Sequence, residues 1–314
     1  MFEIGHDLAM VSTTPVKLDR GGLRFTGLLA APPQTEHTRP LVVCLHGFPD
    51  HPRSFREQVP DLVAAGYRVL VPTLRGYEPS SQPRTPDAGR YFVVELVDDL
   101  LAWLDLVAPG ERVHLIGHDW GAVVAYATAN TAPERLRSLV TIAVPHLRRL
   151  LHAPPRLVPV QLRKSAYMGL FQLPWIAERA VAHDHGQLIA RLWRRWSPTW
   201  EVPVDELEAV LATFAAPGVR EAALAYYRCN LARPSAAMLA GWRRLLQVTT
   251  TPTLTITGAA DGCMDTRLFD HGAWRADYAH EVELLRVPNG GHFVHQERPA
   301  AINPAILRWL AQSQ

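Results

Sequence analysis

The sequence predicts an α/β protein in which a mostly parallel central sheet is flanked by helices and interrupted by an α-helical insertion. Short β-branched apolar runs alternate with longer stretches of helical spacing over residues 16–144, a pattern typical of parallel strands covered on both faces. Residues 146–248 are rich in Arg, Trp, Leu and Ala and have helical spacing. Strand character then returns at residues 253–257 and 282–287, so we expect a single interruption of the sheet.

The individual elements follow in chain order. The turn Arg20-Gly21-Gly22 predicts an opening hairpin, and Gly66 marks the end of the first helix. The predicted strands are that hairpin over 16–31 and the runs 41–45, 67–74, 113–117, 136–144, 253–257 and 282–287. The predicted core helices are 54–65, 93–106, 122–130 and 300–311. Residues 1–145 and 249–314 would therefore form the core, and residues 146–248 a helical cap.

Composition and charge exclude several classes of protein. The chain has 314 residues, 48% hydrophobic and 20% charged, which supports a large buried core and argues against disorder. The formal net charge of +2 gives no reason to expect nucleic acid or a membrane as a partner, and the apolar runs are too short to cross a bilayer. Cys44, Cys229 and Cys263 form no C-x-x-C pair and the N-terminus lacks a signal-peptide pattern, so we expect reduced thiols in a cytoplasmic protein.

A glycine-framed turn joins the predicted strand 113–117 to the helix that follows it. Its sequence, Gly117-His118-Asp119-Trp120-Gly121, has the spacing of the nucleophile elbow G-x-S-x-G with an aspartate in the middle. The alternative is an ordinary helix N-cap, a common use of aspartate. The two glycines at the required spacing, the His46-Gly47 loop and a late Gly-Gly-His favour Asp119 as a nucleophile.

Two further candidates follow the last two predicted strands. Asp261 and then His292 come after Asp119, which gives the chain order nucleophile, acid, histidine of the α/β-hydrolases. Ligands collect at the carboxyl ends of such strands. Asp265 is the alternative acid and His295 the alternative histidine. We favour Asp261 for its place at the strand end, and His292 because Gly290-Gly291 predicts a tight turn that presents the ring.

Several further segments match one family. They are His46-Gly47-Phe48-Pro49, Arg75-Gly76-Tyr77, Gly117-His118-Asp119-Trp120-Gly121-Ala122, Tyr167-Met168-Gly169-Leu170-Phe171-Gln172-Leu173-Pro174, Tyr226-Tyr227-Arg228 and Gly291-His292-Phe293. With them, the sequence resembles the epoxide hydrolases of the α/β-hydrolase fold over nearly the whole chain.

The resemblance implies a fold, a reaction and two further site residues. It implies the α/β-hydrolase fold with an inserted helical cap, a small-molecule epoxide and water as substrates, and a pair of cap tyrosines that hold the epoxide oxygen. Position by position, the pair falls on Tyr167 and Tyr227. Tyr226 is the alternative to Tyr227, because neighbours on a helix point about a third of a turn apart and only one is expected to face the cavity.

An aspartate nucleophile suits attack on a saturated carbon. A serine that attacked an epoxide would leave an ether, whereas Asp119 leaves an alkyl ester whose carbonyl water can attack. His292 would deprotonate that water, and Asp261 would orient the imidazole and stabilise its charge. The backbone N–H groups of Phe48 and Trp120 are the expected oxyanion hole.

The remaining expectations concern the pocket and its ligands. His46, Pro49 and Trp175 are expected to contact the substrate. His183-Asp184-His185 is interpreted as a solvated loop and not as a metal site, since no further ligand is evident nearby, and neither a metal nor a cofactor is expected. Whether the chain forms a homodimer is left open.

Other functions remain as alternatives. A haloalkane dehalogenase shares the aspartate nucleophile but needs N–H donors for a halide, which Trp120 could supply together with Trp175 if Trp175 faces the cavity. A ligand receptor or scaffold on this fold would tolerate loss of a catalytic residue, but all three candidates are present. Ester hydrolysis is disfavoured because Asp119 replaces the serine.

Overall fold

The computed structural model describes residues 13–32, 39–83, 91–231 and 234–313, apart from the side chains of Arg39, Asp184 and His185. Eight strands within these ranges form one sheet. They are β1 (Thr13–Lys17), β2 (Thr26–Ala30), β3 (Arg39–Leu45), β4 (Tyr67–Pro72), β5 (Val113–His118), β6 (Leu136–Ile142), β7 (Thr253–Gly258) and β8 (Val282–Val287).

The strand order across the sheet is β1-β2-β4-β3-β5-β6-β7-β8. The predicted hairpin is present, because β1 pairs with β2 in an antiparallel register from Thr13↔Ala30 to Lys17↔Thr26. β2 also pairs antiparallel with β4, and every later pairing is parallel. The mostly parallel sheet predicted from the sequence is therefore confirmed.

The sheet is covered on both faces, which explains its continuous apolar runs. In β3, Leu41, Val43 and Leu45 pack into one hydrophobic cluster, whereas Val42 and Cys44 pack into a second cluster on the opposite face. The first cluster contains the apolar sides of α2 (Val93–Val107) and α3 (Trp120–Ala129), and the second those of α1 (Val59–Ala64) and α13 (Pro299–Gln312).

The first helix is shorter than the sequence predicts. A continuous helix was expected over residues 54–65, but the structure has a 3₁₀ turn at Pro52–Phe55 and then α1 from Val59. Pro60 explains the break, because it has no N–H to bond the preceding turn and its ring would clash with the carbonyl of residue 56. Proline is tolerated where it stands, in the first turn of α1.

Eight helices of the described chain lie between β6 and β7, and we call them the inserted helices. They are α4 (Leu147–Leu151), α5 (Val158–Lys164), α6 (Ala166–Phe171), α7 (Ile176–Ala182), α8 (Gln187–Trp196), α9 (Val204–Ala215), α10 (Val219–Leu231) and α11 (Ala236–Leu245). The short α12 (Val294–Glu297) follows β8. Within the described residues, no helix combines the length and apolar content needed to cross a bilayer. The boundaries at residues 145 and 248 stay a prediction.

The turn between β5 and α3 has a strained backbone that two glycines make possible. Asp119 has φ 49° and ψ −118°, outside the regions that L-residues ordinarily occupy. A Cβ on Gly117 would overlap the carbonyl of Gly121, and a Cβ on Gly121 would overlap the carbonyl of Leu45 in β3. The G-x-D-x-G spacing therefore reflects a close approach of α3 to two strands, which lifts Asp119 off the end of β5.

We predict that Gly121→Ala lowers the free energy of unfolding by about 3 kcal/mol or more, because backbone atoms must move to admit the methyl group. Gly169→Ala in α6 is the matched control, since a Cβ there meets no atom within 4 Å. Alanine in that helix should raise the free energy of unfolding by about 0.5–1 kcal/mol. Denaturant unfolding measures both, and a Gly121→Ala variant as stable as the control would contradict the close approach.

Candidate active site

Three candidate catalytic residues meet at the carboxyl edge of the sheet. Asp119 follows β5, Asp261 follows β7 and His292 follows β8. His292 Nδ1 donates to Asp261 Oδ2 at 3.0 Å, and His292 Nε2 lies 3.5 Å from Asp119 Oδ2. The imidazole is fully buried between the two carboxylates. This is the arrangement that the chain order of the three residues predicts.

Asp261, and not Asp265, contacts the histidine. The second oxygen of Asp261, Oδ1, accepts the backbone N–H groups of Cys263 at 2.7 Å and Met264 at 2.8 Å, which fix the carboxylate. Asp265 instead caps the next 3₁₀ turn and pairs with Arg267, whose Nη2 lies 2.6 Å from Asp265 Oδ2. The alternative acid is therefore committed to a local ion pair.

The backbone of His292 is held from both sides. His118 Nε2 donates to the carbonyl of His292 at 3.0 Å, and the N–H of His292 donates to the carbonyl of Trp196 in α8 at 3.0 Å. His295 points elsewhere, with its Nε2 2.7 Å from Ser54 Oγ. These bonds fix the position of the ring and tie it to one of the inserted helices.

The charges of the site depend on one another. Burial opposes charge on the imidazole, but the charges and hydrogen bonds of Asp261 and Asp119 outweigh it and raise the pKa of His292 to about 10. Burial also opposes charge on Asp119, but the hydrogen bond and charge of His292, with the N–H of Phe48, hold the pKa of Asp119 below its usual value. At neutral pH the site therefore contains an Asp119 carboxylate beside an imidazolium.

The two oxygens of Asp119 have different partners. Oδ2 faces His292, whereas Oδ1 accepts the backbone N–H of Phe48 at 2.8 Å. A Cβ on Gly47 would overlap the side chain of Asp119, so glycine lets the loop after β3 approach this closely. Among the hydrogen bonds of the described residues, none joins the Trp120 N–H to Asp119, and its part in an oxyanion hole stays a prediction.

A cavity of about 180 Å³ opens beside Asp119, between the core and the inserted helices. Its walls are mainly aliphatic and aromatic. Asp119, Trp120, Tyr167, Tyr227 and Cys263 are among the lining residues. A small apolar molecule that fills this cavity would contact both the candidate nucleophile and two phenols.

Tyr167 and Tyr227 enter the cavity from α6 and α10. Their ring centroids lie 5.9 Å apart, and burial raises the pKa of each phenol well above its usual value, so both stay protonated. The hydroxyl of Tyr227 makes no well-formed hydrogen bond to the described residues, and Tyr167 Oη lies 3.6 Å from Cys263 Sγ. Tyr226, the alternative, donates instead to the carbonyl of Arg75 at 2.7 Å.

Three residues expected to contact the substrate do not line the cavity among the described residues. His46 is buried, and its Nε2 accepts the N–H of Leu74, which ties two loops together. The carbonyl of Pro49 accepts the indole N–H of Trp193. Trp175 is the clearest correction: its left-handed backbone, with φ 63°, turns the chain between α6 and α7 and leaves the side chain 80% exposed.

Sequence reasoning missed most of the residues that line the cavity, Cys263 among them, and one buried cluster. Cys263 lies two residues after Asp261, and this spacing on the acid loop is the signal that could have identified it. Asp50, His118 and His295 place three potential metal ligands within 4.8 Å of one another. However, Asp50 already accepts hydrogen bonds from Ser54 Oγ and Gln296 Nε2, so the cluster acts as a hydrogen-bond network behind His292.

Comparison with known proteins identifies the family. Residues 40–299 match a family model described as the alpha/beta hydrolase fold. The chain belongs to the α/β-hydrolase fold family. The sheet, the elbow and the order of the three site residues all agree with this assignment.

Relatives along most of this chain include proteins named epoxide hydrolases. The chain is 32% identical to AB hydrolase superfamily protein YfhM of Bacillus subtilis, over 86% of this chain and 90% of that protein. It is 29% identical to Epoxide hydrolase A of Mycobacterium tuberculosis, over 96% and 98%. The crystal structure of Epoxide Hydrolase A from Mycobacterium thermoresistibile matches with a TM-score of 0.73 and 26% identity, over 96% and 98%. The resemblance to epoxide hydrolases is confirmed.

We predict that Asp119→Asn lowers the pKa of His292 from about 10 toward its usual value, because the imidazolium loses one of its two counter-charges. An NMR titration of the His292 ring measures the change. Asp265→Asn is the control, since Asp265 pairs with Arg267, and it should leave that pKa unchanged. Equal values in the wild type and in Asp119→Asn would show that the two residues are not coupled.

Proposed function

We propose that this chain is an epoxide hydrolase that converts an epoxide and water to a vicinal diol through a covalent ester on Asp119. The observation that carries the proposal is an elbow carboxylate that contacts His292 and lines one apolar cavity together with two protonated tyrosines. The names of the relatives support the same reaction. In this proposal the inserted helices act as a cap that supplies the two tyrosines.

The first step forms a bond between Asp119 and an epoxide carbon. Oδ2 is the attacking oxygen, because Oδ1 already accepts a hydrogen bond from the N–H of Phe48. As the new O–C bond forms, the C–O bond of the epoxide breaks and negative charge develops on the ring oxygen. Tyr167 and Tyr227 hydrogen-bond this oxygen more strongly as its charge grows, which favours the transition state over the ground state.

The proton that neutralises the alkoxide comes from the site itself. A tyrosine passes its proton to the alkoxide, and the imidazolium of His292 restores the phenol, directly or through water. After this step Asp119 is a neutral ester and His292 a neutral base. The atoms and charges balance, because the carboxylate and imidazolium of the resting site become an ester and an imidazole.

The second step hydrolyses the ester. The pKa of His292 falls once Asp119 has lost its charge, so the imidazole can deprotonate a water that attacks the acyl carbon of Asp119. Charge then develops on Oδ1, which already faces the N–H of Phe48. On collapse the bond between Cγ and Oδ2 of Asp119 breaks, and the proton of the newly added hydroxyl passes to Oδ2, which leaves with the diol. The carboxylate and the imidazolium are thereby restored, while Asp261 holds Nδ1 of the ring throughout.

A haloalkane dehalogenase would use the same nucleophile, but the structure disfavours it. Halide release calls for side-chain N–H donors near the leaving atom, and Trp120 lines the cavity. Trp175, the expected second donor, is exposed to solvent. Phenol donors at the cavity instead suit an oxygen leaving group.

The wild-type chain should convert a styrene-type epoxide to its diol, and Tyr227→Phe should slow diol formation on the order of 10²-fold. The phenol that supports ring opening is then missing. Steady-state kinetics of diol formation, followed by chromatography, measures the effect. The fold should stay intact, because the hydroxyl of Tyr227 makes no well-formed hydrogen bond in the described chain.

Tyr226→Phe is the matched control, because it removes a neighbouring hydroxyl that donates to the carbonyl of Arg75. Tyr226→Phe should lower the free energy of unfolding by about 1 kcal/mol and leave the rate of diol formation within a few-fold of the wild-type rate. Equal loss of rate in both variants would contradict the role of Tyr227. Chloride release from a chloroalkane without any diol from epoxides would identify a dehalogenase instead.

A further inference from the structure

The inserted helices expose an unusual concentration of apolar side chains. Eleven large hydrophobic residues are exposed in the described part of the chain, and six of them lie within residues 151–176. They are Leu151, Val158, Leu162, Leu173, Trp175 and Ile176. Single exposed apolar residues are ordinary, but their concentration in one segment indicates an interaction surface.

The same segment is basic, although the chain as a whole is nearly neutral. The full sequence has 32 Arg and Lys and 30 Asp and Glu. Residues 146–177 contain five Arg and Lys and no Asp or Glu. A near-zero net charge therefore conceals a local excess of positive charge beside the cavity.

Three of these five cations are engaged with the core. Arg148 and Arg149 pair with Asp277, and the ammonium of Lys164 donates to backbone carbonyls in the acid loop, residues 261–264. They position α4 and α5 and are not available to a partner.

The remaining two cations face solvent. Arg156 and Arg163 are exposed, and neither forms an ion pair with any described residue. The exposed guanidinium of Arg195, from α8, donates to the backbone carbonyl of Arg163 at 3.3 Å. A third exposed cation thus lies against the backbone of Arg163, and a group of exposed cations on one surface favours binding of an anion.

The apolar residues of this segment lie beside the cavity wall. Val158 and Leu162 are one helical turn apart on α5 and share a face. Leu151 and Leu162 directly follow Leu150 and Gln161, which line the cavity from the inside. The outer surface of α4 and α5 is therefore the exterior of the wall that encloses the pocket.

We propose that this surface, defined by Leu151, Arg156, Val158, Leu162 and Arg163 and called the basic apolar face, binds an anionic lipid surface. The aliphatic side chains enter the interfacial region while the guanidinium groups contact lipid phosphates. Nucleic acid would pair with the arginines but leave the leucines and valine without a counterpart. The association is peripheral, since no described helix could span a membrane.

The lipid surface would also explain how an apolar substrate reaches the pocket. An apolar epoxide partitions into lipid, and the basic apolar face would hold the cavity wall against that reservoir. This consequence rests on the proposed function, whereas the binding itself does not.

Sedimentation of the full chain with vesicles, in the absence of substrate, tests the binding. We expect binding to mixed phosphatidylglycerol–phosphatidylcholine vesicles, little to pure phosphatidylcholine, and release at high salt. The double variant Arg156→Gln/Arg163→Gln should weaken the affinity about 30-fold, from the typical contribution of each basic residue near such a surface. Leu162→Gln should weaken it several-fold.

The controls are equally exposed positions elsewhere. Leu106, in the last turn of α2, is 58% exposed against 66% for Leu162, and Leu106→Gln should bind like the wild type. Lys17→Gln/Arg24→Gln, at the end of β1 and just before β2, is the charge-matched control, because both side chains are exposed and neither forms an ion pair with a described residue. It should also bind. Equal losses in the controls, no preference for anionic vesicles, or binding to an oligonucleotide without binding to vesicles would each overturn the proposal.

The two proposals fail separately. All these variants should hydrolyse a water-soluble epoxide at the wild-type rate, because none of the altered residues lines the cavity. Intact diol formation without vesicle binding would reject the lipid surface alone. Vesicle binding without diol formation would reject the proposed function alone.

Discussion

A buried imidazole between two carboxylates is the interaction on which the site depends. His292 is fully buried, and Asp119 and Asp261 are 8% and 3% exposed. Such charges are tolerated inside a protein only when they are paired and hydrogen-bonded, since removal of one partner leaves an uncompensated charge. The pairing also makes the base responsive to the nucleophile. Any reaction that neutralises Asp119 lowers the pKa of His292, at the step of the reaction in which a base is needed.

The sheet brings the imidazole and the two carboxylates together because each of them follows the end of a different strand. β5, β7 and β8 lie close together in the sheet although their residues are far apart in sequence, and parallel strands end at one edge. The glycines of the elbow let Asp119 adopt a strained backbone, and Gly47 lets the loop after β3 bring the Phe48 N–H to the carboxylate. The inserted helices then close the cavity, and α8 also holds the backbone of His292.

The sequence predicts the sheet and the elbow well because both depend on local patterns, namely apolar runs and the spacing of glycines around Asp119. The prediction of a continuous first helix was wrong because Pro60 interrupts it. The roles of other candidate residues depend on tertiary contacts, which local patterns do not contain. The hydroxyl of Tyr226 donates a hydrogen bond to the carbonyl of Arg75, and the left-handed backbone of Trp175 directs its side chain away from the cavity. The basic apolar face escaped notice because whole-chain charge averages over a segregated distribution.

The central claim is that Asp119 forms a covalent bond to the substrate and is then released at its own carbonyl carbon. A single turnover with enzyme in excess over a styrene-type epoxide, in ¹⁸O-labelled water, tests it most directly. Mass spectrometry should then find ¹⁸O in the carboxyl group of the peptide that contains Asp119, and a diol with no label. A labelled diol from the first turnover, with Asp119 unlabelled, would mean that water attacks the epoxide directly, and would contradict the covalent mechanism.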